Sequence, residues 1–367
     1  MSNTERTRSL LESVHADHGA TFEERGGKRV PRQYGRPERT HKAVRNGVGI
    51  IEMAYGVLTI TGEDRIEYVD NVVSNRVPKD DGEGCYALLC DPQGRIELDC
   101  YIYNANERLL LFVPPGYEAE LAAEWREKVF IQDVEITVAT DDLAVFGVHG
   151  PNATEKVASV LNKIGAPDGS LVFDRGTIND VGVTVIASDD PTGEDGYEIV
   201  CSAEETETVF DTLMNYGVGA VPFGTQTWES LTLETGTPLF EYELEGAIPN
   251  VLGLRNAVDF EKGCFIGQEV ISRVENRGEP SKRLVGLRCA ALPEAGAAVT
   301  DGEGSIGEVT RAIESPSMEE PIAFALVEYG LETEELAVEV EDEEVAATVT
   351  ELPFVEGSGR SARVPTY

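Results

Sequence analysis

The sequence predicts an α+β fold with antiparallel sheets, helices packed against those sheets, and a β-barrel at the C-terminal end. Up to about residue 280, pairs of strand-like segments alternate with amphipathic helical segments. After Leu284 the pattern changes, and short strand-like segments are separated by glycines and acids. The length of 367 residues exceeds one ordinary core and suits two or three domains.

Residues 1–45 are predicted to form an N-terminal helix followed by a connector rich in glycine, proline and arginine. The clearest prediction further along is a β-hairpin, because residues 86–89 and 96–103 flank Asp91-Pro-Gln-Gly94, a strong turn signal. Helices are predicted at 64–74, 118–129, 150–162, 203–216 and 225–236. Further strands are predicted at 57–61, 109–113, 134–138, 143–148, 183–187 and 197–201.

The C-terminal residues 281–367 are predicted to form the barrel, which leaves residues 46–280 as the larger α+β region. Its strands are predicted at 284–289, 304–310, 322–327, 336–341 and 345–352. A boundary near Ser281 places the segment just before it at a domain junction, where ligand pockets often lie.

The charge balance is extreme, with 67 acidic and 30 basic residues and a formal net charge of −37. One interpretation is an acidic module that binds cations or basic partners. The other is a halophilic host, in which a carboxylate-rich surface stays hydrated in concentrated salt. Only eight basic residues are lysine and the acids are spread along the whole chain, which favours the halophilic interpretation.

Two segments depart from this acidic character. Eight basic residues accompany one acid between Arg25 and Arg45, and a second basic group lies between Arg273 and Arg288. These groups could form a positive pocket for an anionic ligand. Alternatively, they could pair with carboxylates of the fold itself.

No segment approaches the roughly 20 apolar residues of a membrane helix, and the N-terminus lacks the apolar middle of a signal peptide. We therefore expect a soluble cytoplasmic protein that does not bind a membrane. Cytoplasmic thiols stay reduced, so the six cysteines are not expected to form a disulfide framework. They contain no C-x-x-C pair and the histidines are not grouped around them, so we expect no metal site.

The octapeptide at residues 262–269, Lys-Gly-Cys-Phe-Ile-Gly-Gln-Glu, is the most distinctive motif. Gly263 and Gly267 allow a tight loop and close backbone approach to a ligand. Lys262 could favour the thiolate form of Cys264, and Gln268 offers donors and acceptors to a heteroaromatic ring. The alternative is a glycine-rich connector with a half-buried cysteine.

The octapeptide resembles the signature of the YgfZ-type folate-binding proteins, which are relatives of the glycine cleavage T protein. The similarity includes Trp228-Glu229, residues 233–238, 248–250 and 258–260, Arg273, and Arg277-Gly278. Segments 41–45, 150–153, 192–198, 284–287, 306–310 and 352–355 resemble the wider T-protein superfamily. The resemblance covers about residues 40–356. It implies three lobes around a central folate channel, two of them within residues 46–280, with the C-terminal lobe a β-barrel.

The resemblance also implies the roles of individual residues. Glu198 matches a glutamate that hydrogen-bonds the pterin, and a carboxylate can accept two N–H bonds from its guanidine-like edge. Tyr86 matches a tyrosine that lines the folate site. Cys264 would be the functional thiol, and Lys262 would favour its thiolate form. Asp99, Gln268 and Arg273 would contribute to cofactor binding. As alternatives, Tyr86 could be a strand-packing residue and Glu198 a surface acid.

The sequence also departs from the T-protein pattern. Transferases of this family carry an Asp-Asp pair, and the position of the essential first aspartate is Leu98 here, whereas Asp99 matches its neighbour. Both strand neighbours of Leu98 are expected on the opposite face from it. A T-protein arginine is replaced by Trp228, and a Gly-Tyr pair is replaced by Asp190-Pro191.

These observations lead us to expect a tetrahydrofolate-binding protein of the YgfZ type that assists iron–sulfur cluster assembly or repair in client proteins. The alternative is a tetrahydrofolate-dependent aminomethyltransferase or related one-carbon transferase, which Leu98 disfavours. A third class, an RNA-binding module acting through Arg25–Arg45, is opposed by the net charge of −37, since phosphates would be repelled. Nucleic acid is therefore not an expected partner.

Overall fold

The N-terminal region forms a hairpin rather than the expected connector. The computed structural model describes residues 7–8, 11–162, 165–331 and 333–367, without the side chains of Thr7, Arg8 and Arg277. A two-residue turn at Gly26-Gly27, with φ angles of 53° and 78°, makes the hairpin possible. The elements are β1 (Thr7–Arg8), α1 (Glu12–Asp17), β2 (Ala20–Arg25), β3 (Lys28–Tyr34) and α2 (Pro37–Arg45), and the strands pair in the order β1-β3-β2.

The next region contributes one strand to a neighbouring sheet and otherwise builds a five-stranded antiparallel sheet. Its elements are β4 (Gly49–Met53), β5 (Gly56–Thr61), α3 (Arg65–Asp70), β6 (Gly84–Cys90), β7 (Ile96–Asn104), β8 (Leu109–Val113), α4 (Glu118–Lys128) and β9 (Glu135–Val138). The strand order is β6-β7-β8-β5-β9, and the β6–β7 hairpin turns where Asp91-Pro-Gln-Gly94 predicts it.

A seven-stranded sheet forms the second large layer. Its region contains β10 (Leu143–His149), α5 (Ala153–Val160), β11 (Leu161–Asn162), β12 (Phe173–Ile178), β13 (Val181–Ala187), β14 (Gly196–Ser202), α6 (Thr206–Asn215), β15 (Val221–Pro222) and α7 (Thr225–Glu234). The strand order is β11-β12-β13-β14-β10-β4-β15, antiparallel except where β15 pairs with β4. β4 therefore leads directly from this sheet into the five-stranded one.

The C-terminal strands close into a six-stranded barrel. Before them come a π-helical turn at Phe240–Leu244, a 3₁₀ turn at Arg255–Ala257 and α8 (Gln268–Arg277). The barrel strands are β16 (Lys282–Cys289), β17 (Ala298–Thr300), β18 (Ser305–Ser315), β19 (Glu320–Glu328), β20 (Glu335–Val340) and β21 (Glu343–Thr350). β21 pairs back onto β16, so no edge remains open.

A buried ionic joint connects the barrel to α2 and α7. The Glu234 carboxylate accepts hydrogen bonds from Ser315 Oγ at 2.6 Å and from Arg45 Nη2 at 3.0 Å, and it lies 3.0 Å from His41 Nε2. Burial alone would raise the pKa of Glu234, but the hydrogen bonds from His41 and Ser315 and the charge of Arg45 lower it to about 2. Three sequence-distant elements therefore meet at one ionised carboxylate.

The predicted α+β class, antiparallel sheets and C-terminal barrel are confirmed. Sequence patterns missed β17, which is only three residues long, and β12, in which exposed positions interrupt the apolar pattern. Within the described residues, no helix is both long and apolar enough to cross a membrane.

Candidate functional site

A cleft opens between the two large sheets and helix α7. Its volume is about 840 Å³, including its open mouth. Apolar and aromatic side chains form most of its walls, among them Met53, Tyr55, Phe112, Pro114, Trp228 and Phe240. Its inner end is formed by the buried side chains of Asp99, Tyr101 and Arg363, and its mouth by the more exposed Arg25, Glu52 and Glu241.

Asp99 supplies the carboxylate at the inner end. Tyr86 Oη donates a hydrogen bond to Asp99 Oδ2 at 2.8 Å, and both side chains are buried. Burial raises the pKa of Asp99, although the charge of Arg363 and the Tyr86 hydrogen bond oppose that rise. β7 alternates, so Asp99 and Tyr101 line the cleft while Leu98 packs in the hydrophobic core. The leucine therefore does not remove the carboxylate from the cleft.

Glu198, on β14, lies behind the cleft wall and is held by a residue that lines it. Tyr55 Oη donates to Glu198 Oε1 at 2.7 Å, while Glu198 Oε2 is buried without a hydrogen-bond partner among the described residues. Burial raises the pKa of Glu198 to about 7, although the Tyr55 hydrogen bond favours the ionised form. Gly147, directly opposite on β10, is closely packed, since a Cβ atom there would lie 2.7 Å from His149 Nε2 and 2.8 Å from Ile51 Cγ2.

The cation at the inner end comes from the C-terminal segment, which crosses the molecule after the barrel. Arg363 is 5% exposed, its Nε lies 3.3 Å from Asp189 Oδ2, and its guanidinium lies 5.1 Å from the ring centre of Tyr86. Asp189 also accepts a hydrogen bond from Tyr101 Oη at 2.8 Å. Sequence reasoning did not find Arg363, since no local pattern distinguishes it from other arginines.

Arg25, at the tip of the N-terminal hairpin, is surrounded by carboxylates at the mouth. Its guanidinium contacts Glu23 at 2.6 Å, Glu241 at 3.1 Å, and Glu229 on α7. Other cations of the same basic segment also pair within the fold, namely Arg29 with Glu12, Arg32 with Glu23, Lys42 with Glu319, and Arg45 with Glu194 and Glu234. These pairings favour the second alternative for this basic segment, neutralisation by the fold's own acids.

The octapeptide lies outside the cleft lining. The Lys262 amine donates to the carbonyl oxygens of Asp70, Val73 and Asn75 at 2.5, 3.0 and 2.8 Å, so it caps the chain after α3. Phe265 is buried in the core, whereas Cys264 is exposed. The amine expected to tune Cys264 is therefore occupied by backbone oxygens.

The remaining octapeptide positions shape the loop. Gly267 has a φ of 84°, and a Cβ atom there would lie 2.6 Å from the carbonyl oxygen of Asp91, so only glycine fits. Gln268 begins α8, and its Nε2 donates to the carbonyl oxygen of Lys262 at 3.3 Å. Arg273, further along α8, is exposed. Of the predicted site residues, the structure brings Tyr86, Asp99 and Glu198 together around the cleft and places Lys262, Cys264, Gln268 and Arg273 elsewhere.

Comparison with known protein families gives two matches that together cover most of the chain. Residues 11–262 match the GCVT N-terminal domain, and residues 282–356 match the glycine cleavage T-protein C-terminal barrel domain. The chain belongs to the glycine cleavage T-protein family.

Similar proteins of this family include the aminomethyltransferase of Halalkalibacterium halodurans, 31% identical over 96% of this chain and 98% of that protein. The aminomethyltransferase of Streptomyces coelicolor is 31% identical over 96% of this chain and 99% of that one. The crystal structure of glycine cleavage system aminomethyltransferase T from Bartonella henselae shares the fold, with a TM-score of 0.86 at 23% identity and coverage of 97% and 99%.

In this T-protein family member, the charged residues that the fold buries at its centre lie at or next to the inner end of the cleft. Asp99, Asp189 and Glu198 face one cation, Arg363, and one oxygen of Glu198 is without a hydrogen-bond partner among the described residues. Buried polar atoms are rarely left unsatisfied, so the inner end suits a ligand that donates hydrogen bonds. Throughout the described ranges, the cleft included, no cluster of three or more His, Cys, Asp or Glu side chains could hold a metal ion.

Proposed function

We propose that this chain is a tetrahydrofolate-dependent transferase of one-carbon units, of the aminomethyltransferase type. The observation that carries the proposal is one aromatic cleft with a buried carboxylate, Asp99, in its lining and Glu198 behind its wall, both close to the charge of Arg363, with one oxygen of Glu198 unpartnered among the described residues. The similarity to aminomethyltransferases over nearly the full length of the chain supports the same activity.

The residues present fit a reduced folate. The unpartnered Oε2 of Glu198 can accept N–H bonds from the guanidine-like edge of the pterin, and the neighbouring Tyr55 fixes the other carboxylate oxygen. Tyr101 and Phe112 offer ring surfaces to a flat heterocycle, and Trp228 and Phe240 continue this apolar wall toward the mouth. Tetrahydrofolate would supply one nitrogen of its reduced pterin ring and the adjacent p-aminobenzoyl nitrogen, which together take up a one-carbon unit at the oxidation level of formaldehyde.

Asp99 is the residue positioned to handle a proton. Its burial excludes water, and its raised pKa makes a carboxylate that holds a proton more readily than an exposed aspartate. Tyr86 fixes its orientation through the hydrogen bond to Oδ2, and the nearby Arg363 charge limits the pKa rise. Asp99 is thus the proposed catalytic residue and Tyr86 a positioning residue.

The direct test supplies tetrahydrofolate and a lipoyl carrier protein loaded with an aminomethyl group. The expected reaction transfers the carbon to the folate, releases the nitrogen as ammonium, and leaves the lipoyl sulfur as a free thiol. Production of all three in equal amounts supports the proposal. Tetrahydrofolate binding without any turnover would instead leave a folate-binding protein without this transferase activity.

A second candidate is an accessory role in iron–sulfur cluster assembly or repair, as in the YgfZ-type proteins. It is favoured by the exposed thiol of Cys264, which stands on a loop shaped by Gly267. The test is Cys264→Ala in the native host. Loss of iron–sulfur enzyme activities with glycine cleavage intact would support this role, and unchanged activities would remove it.

A further inference from the structure

The mouth of the cleft carries an excess of negative charge. Among the described residues that line the mouth, Arg25 carries the only guanidinium. It already contacts three carboxylates, those of Glu23, Glu229 and Glu241. Glu52 adds a further carboxylate, 2.6 Å from His15 Nε2. Arg32 also pairs with Glu23 and Lys28 lies close to Glu52, so four carboxylates face three cations at the mouth and the net charge there is negative.

The charge around Arg25 is not a freely solvated surface feature. The side chains of Arg25, Glu23 and Glu229 are only 14%, 19% and 15% exposed, so salt screens them less than fully exposed groups. Glu241, at 39%, is the most exposed member. Burial and the nearby Glu229 and Glu23 raise the pKa of Glu241, although Arg25 opposes the rise, as expected where carboxylates crowd one cation.

A folate seated in the cleft has one possible direction. In the proposed complex the pterin contacts the unpartnered Oε2 of Glu198 and the carboxylate of Asp99 at the inner end, which buried side chains close. The glutamyl tail must therefore leave through the mouth. Each additional γ-linked glutamate adds one carboxylate, and like charges brought together lower affinity.

We propose that the acidic mouth makes this protein selective for tetrahydrofolate with a single glutamate over its polyglutamylated forms. The inference rests on the proposed folate site and adds how many glutamates the preferred folate carries. Repulsion in a largely aqueous mouth corresponds to roughly a threefold loss of affinity for each added glutamate, and about tenfold for a triglutamate, at about 0.1 M salt.

The test is isothermal titration calorimetry of the full-length protein with tetrahydropteroyl monoglutamate and triglutamate, under anaerobic conditions and over a series of KCl concentrations. The wild type is expected to bind the monoglutamate more tightly. The difference in affinity between the two ligands is expected to decrease as KCl screens the charges at the mouth. Glu241→Gln is expected to reduce the preference to about threefold or less. Glu308→Gln, the same change at an exposed barrel position paired with Lys282, is the matched control and should keep the full preference.

The possible outcomes distinguish failure of the proposed tail selectivity from failure of the proposed folate-dependent function. Equal or tighter binding of the triglutamate, or a preference that Glu308→Gln reduces as much as Glu241→Gln, would overturn the role of the mouth while leaving the folate site intact. A preference unchanged by KCl would also overturn it, because shape rather than charge would then select the tail. Failure of both ligands to bind would remove the proposed function and this inference together.

Discussion

The cleft and the octapeptide differ in how their residues are distributed along the chain. The octapeptide is contiguous, yet its side chains separate into a backbone cap at Lys262, a core residue at Phe265 and an exposed thiol at Cys264. The cleft collects its charged residues from positions as distant as Arg25 and Arg363. A contiguous motif can therefore serve mainly to build a loop, while the chemistry converges from scattered positions.

Asp99→Asn is the change expected to have the largest effect. The amide can still accept the Tyr86 hydrogen bond but cannot take up a proton, so aminomethyl transfer should fall by about 100-fold or more. Initial rates with tetrahydrofolate and the loaded carrier protein measure this. Asp81→Asn, at a half-exposed ion pair with Arg175, is the matched control and should leave the rate unchanged. A rate for Asp99→Asn within twofold of wild type would exclude Asp99 as the catalytic residue.

Glu198→Gln tests the ligand-binding half of the cleft. Losing a charged acceptor for the pterin N–H groups should weaken tetrahydrofolate binding by about 10- to 100-fold. The ionised carboxylate of Glu198 accepts these bonds, and the pKa of Glu198 is raised to about 7. The affinity of the wild type for tetrahydrofolate should therefore increase as pH rises from 6 to 8. Calorimetric titration across this range should show the increase in wild type and a flat profile in the variant. A wild-type profile that falls with pH would contradict this role.

Lys262→Met should affect stability rather than chemistry. One buried and two partly buried carbonyl oxygens lose their donor, so the free energy of unfolding should fall by about 2–3 kcal/mol. Urea denaturation measures the loss, and tetrahydrofolate affinity of the folded fraction should remain within about twofold. A large loss of affinity at unchanged stability would instead connect the octapeptide functionally to the cleft.

Cys264→Ser should have the smallest effect in vitro. The thiol is exposed, and surface substitutions usually change stability by less than about 0.5 kcal/mol. Thermal unfolding and tetrahydrofolate titration should both match wild type. If affinity drops more than about fivefold, the octapeptide loop participates in ligand binding and the separation from the cleft fails.

The sequence was informative where local rules apply. Alternating segments and the Asp91-Pro-Gln-Gly94 turn predicted the sheets and barrel. The resemblance pointed to Tyr86 and Glu198, each of which hydrogen-bonds to a residue that lines the cleft. Strand alternation also explains why Asp99, not Leu98, lines the cleft. Contacts between sequence-distant residues could not be predicted from local patterns. Nothing near Arg363 in sequence identifies Asp189 as its partner, and nothing near Lys262 identifies the carbonyls at the end of α3.

The hairpin over residues 20–34 shows the same limit on a local scale. Its basic and proline-rich sequence suggests a connector, but Gly26-Gly27 supplies the turn. Arg25 is then held by Glu229 and Glu241, which lie far along the chain. The tertiary ion pairs override a weak local propensity.

The C-terminal position of Arg363 has a consequence for biosynthesis. Translation completes both large sheets and every barrel strand before this arginine is made, so a nascent chain can hold Asp99, Asp189 and Glu198 without their cation. The inner end of the cleft then lacks the charge that offsets its acids. The inner end of the cleft is thus completed only when the segment that follows the barrel places Arg363 against Asp189.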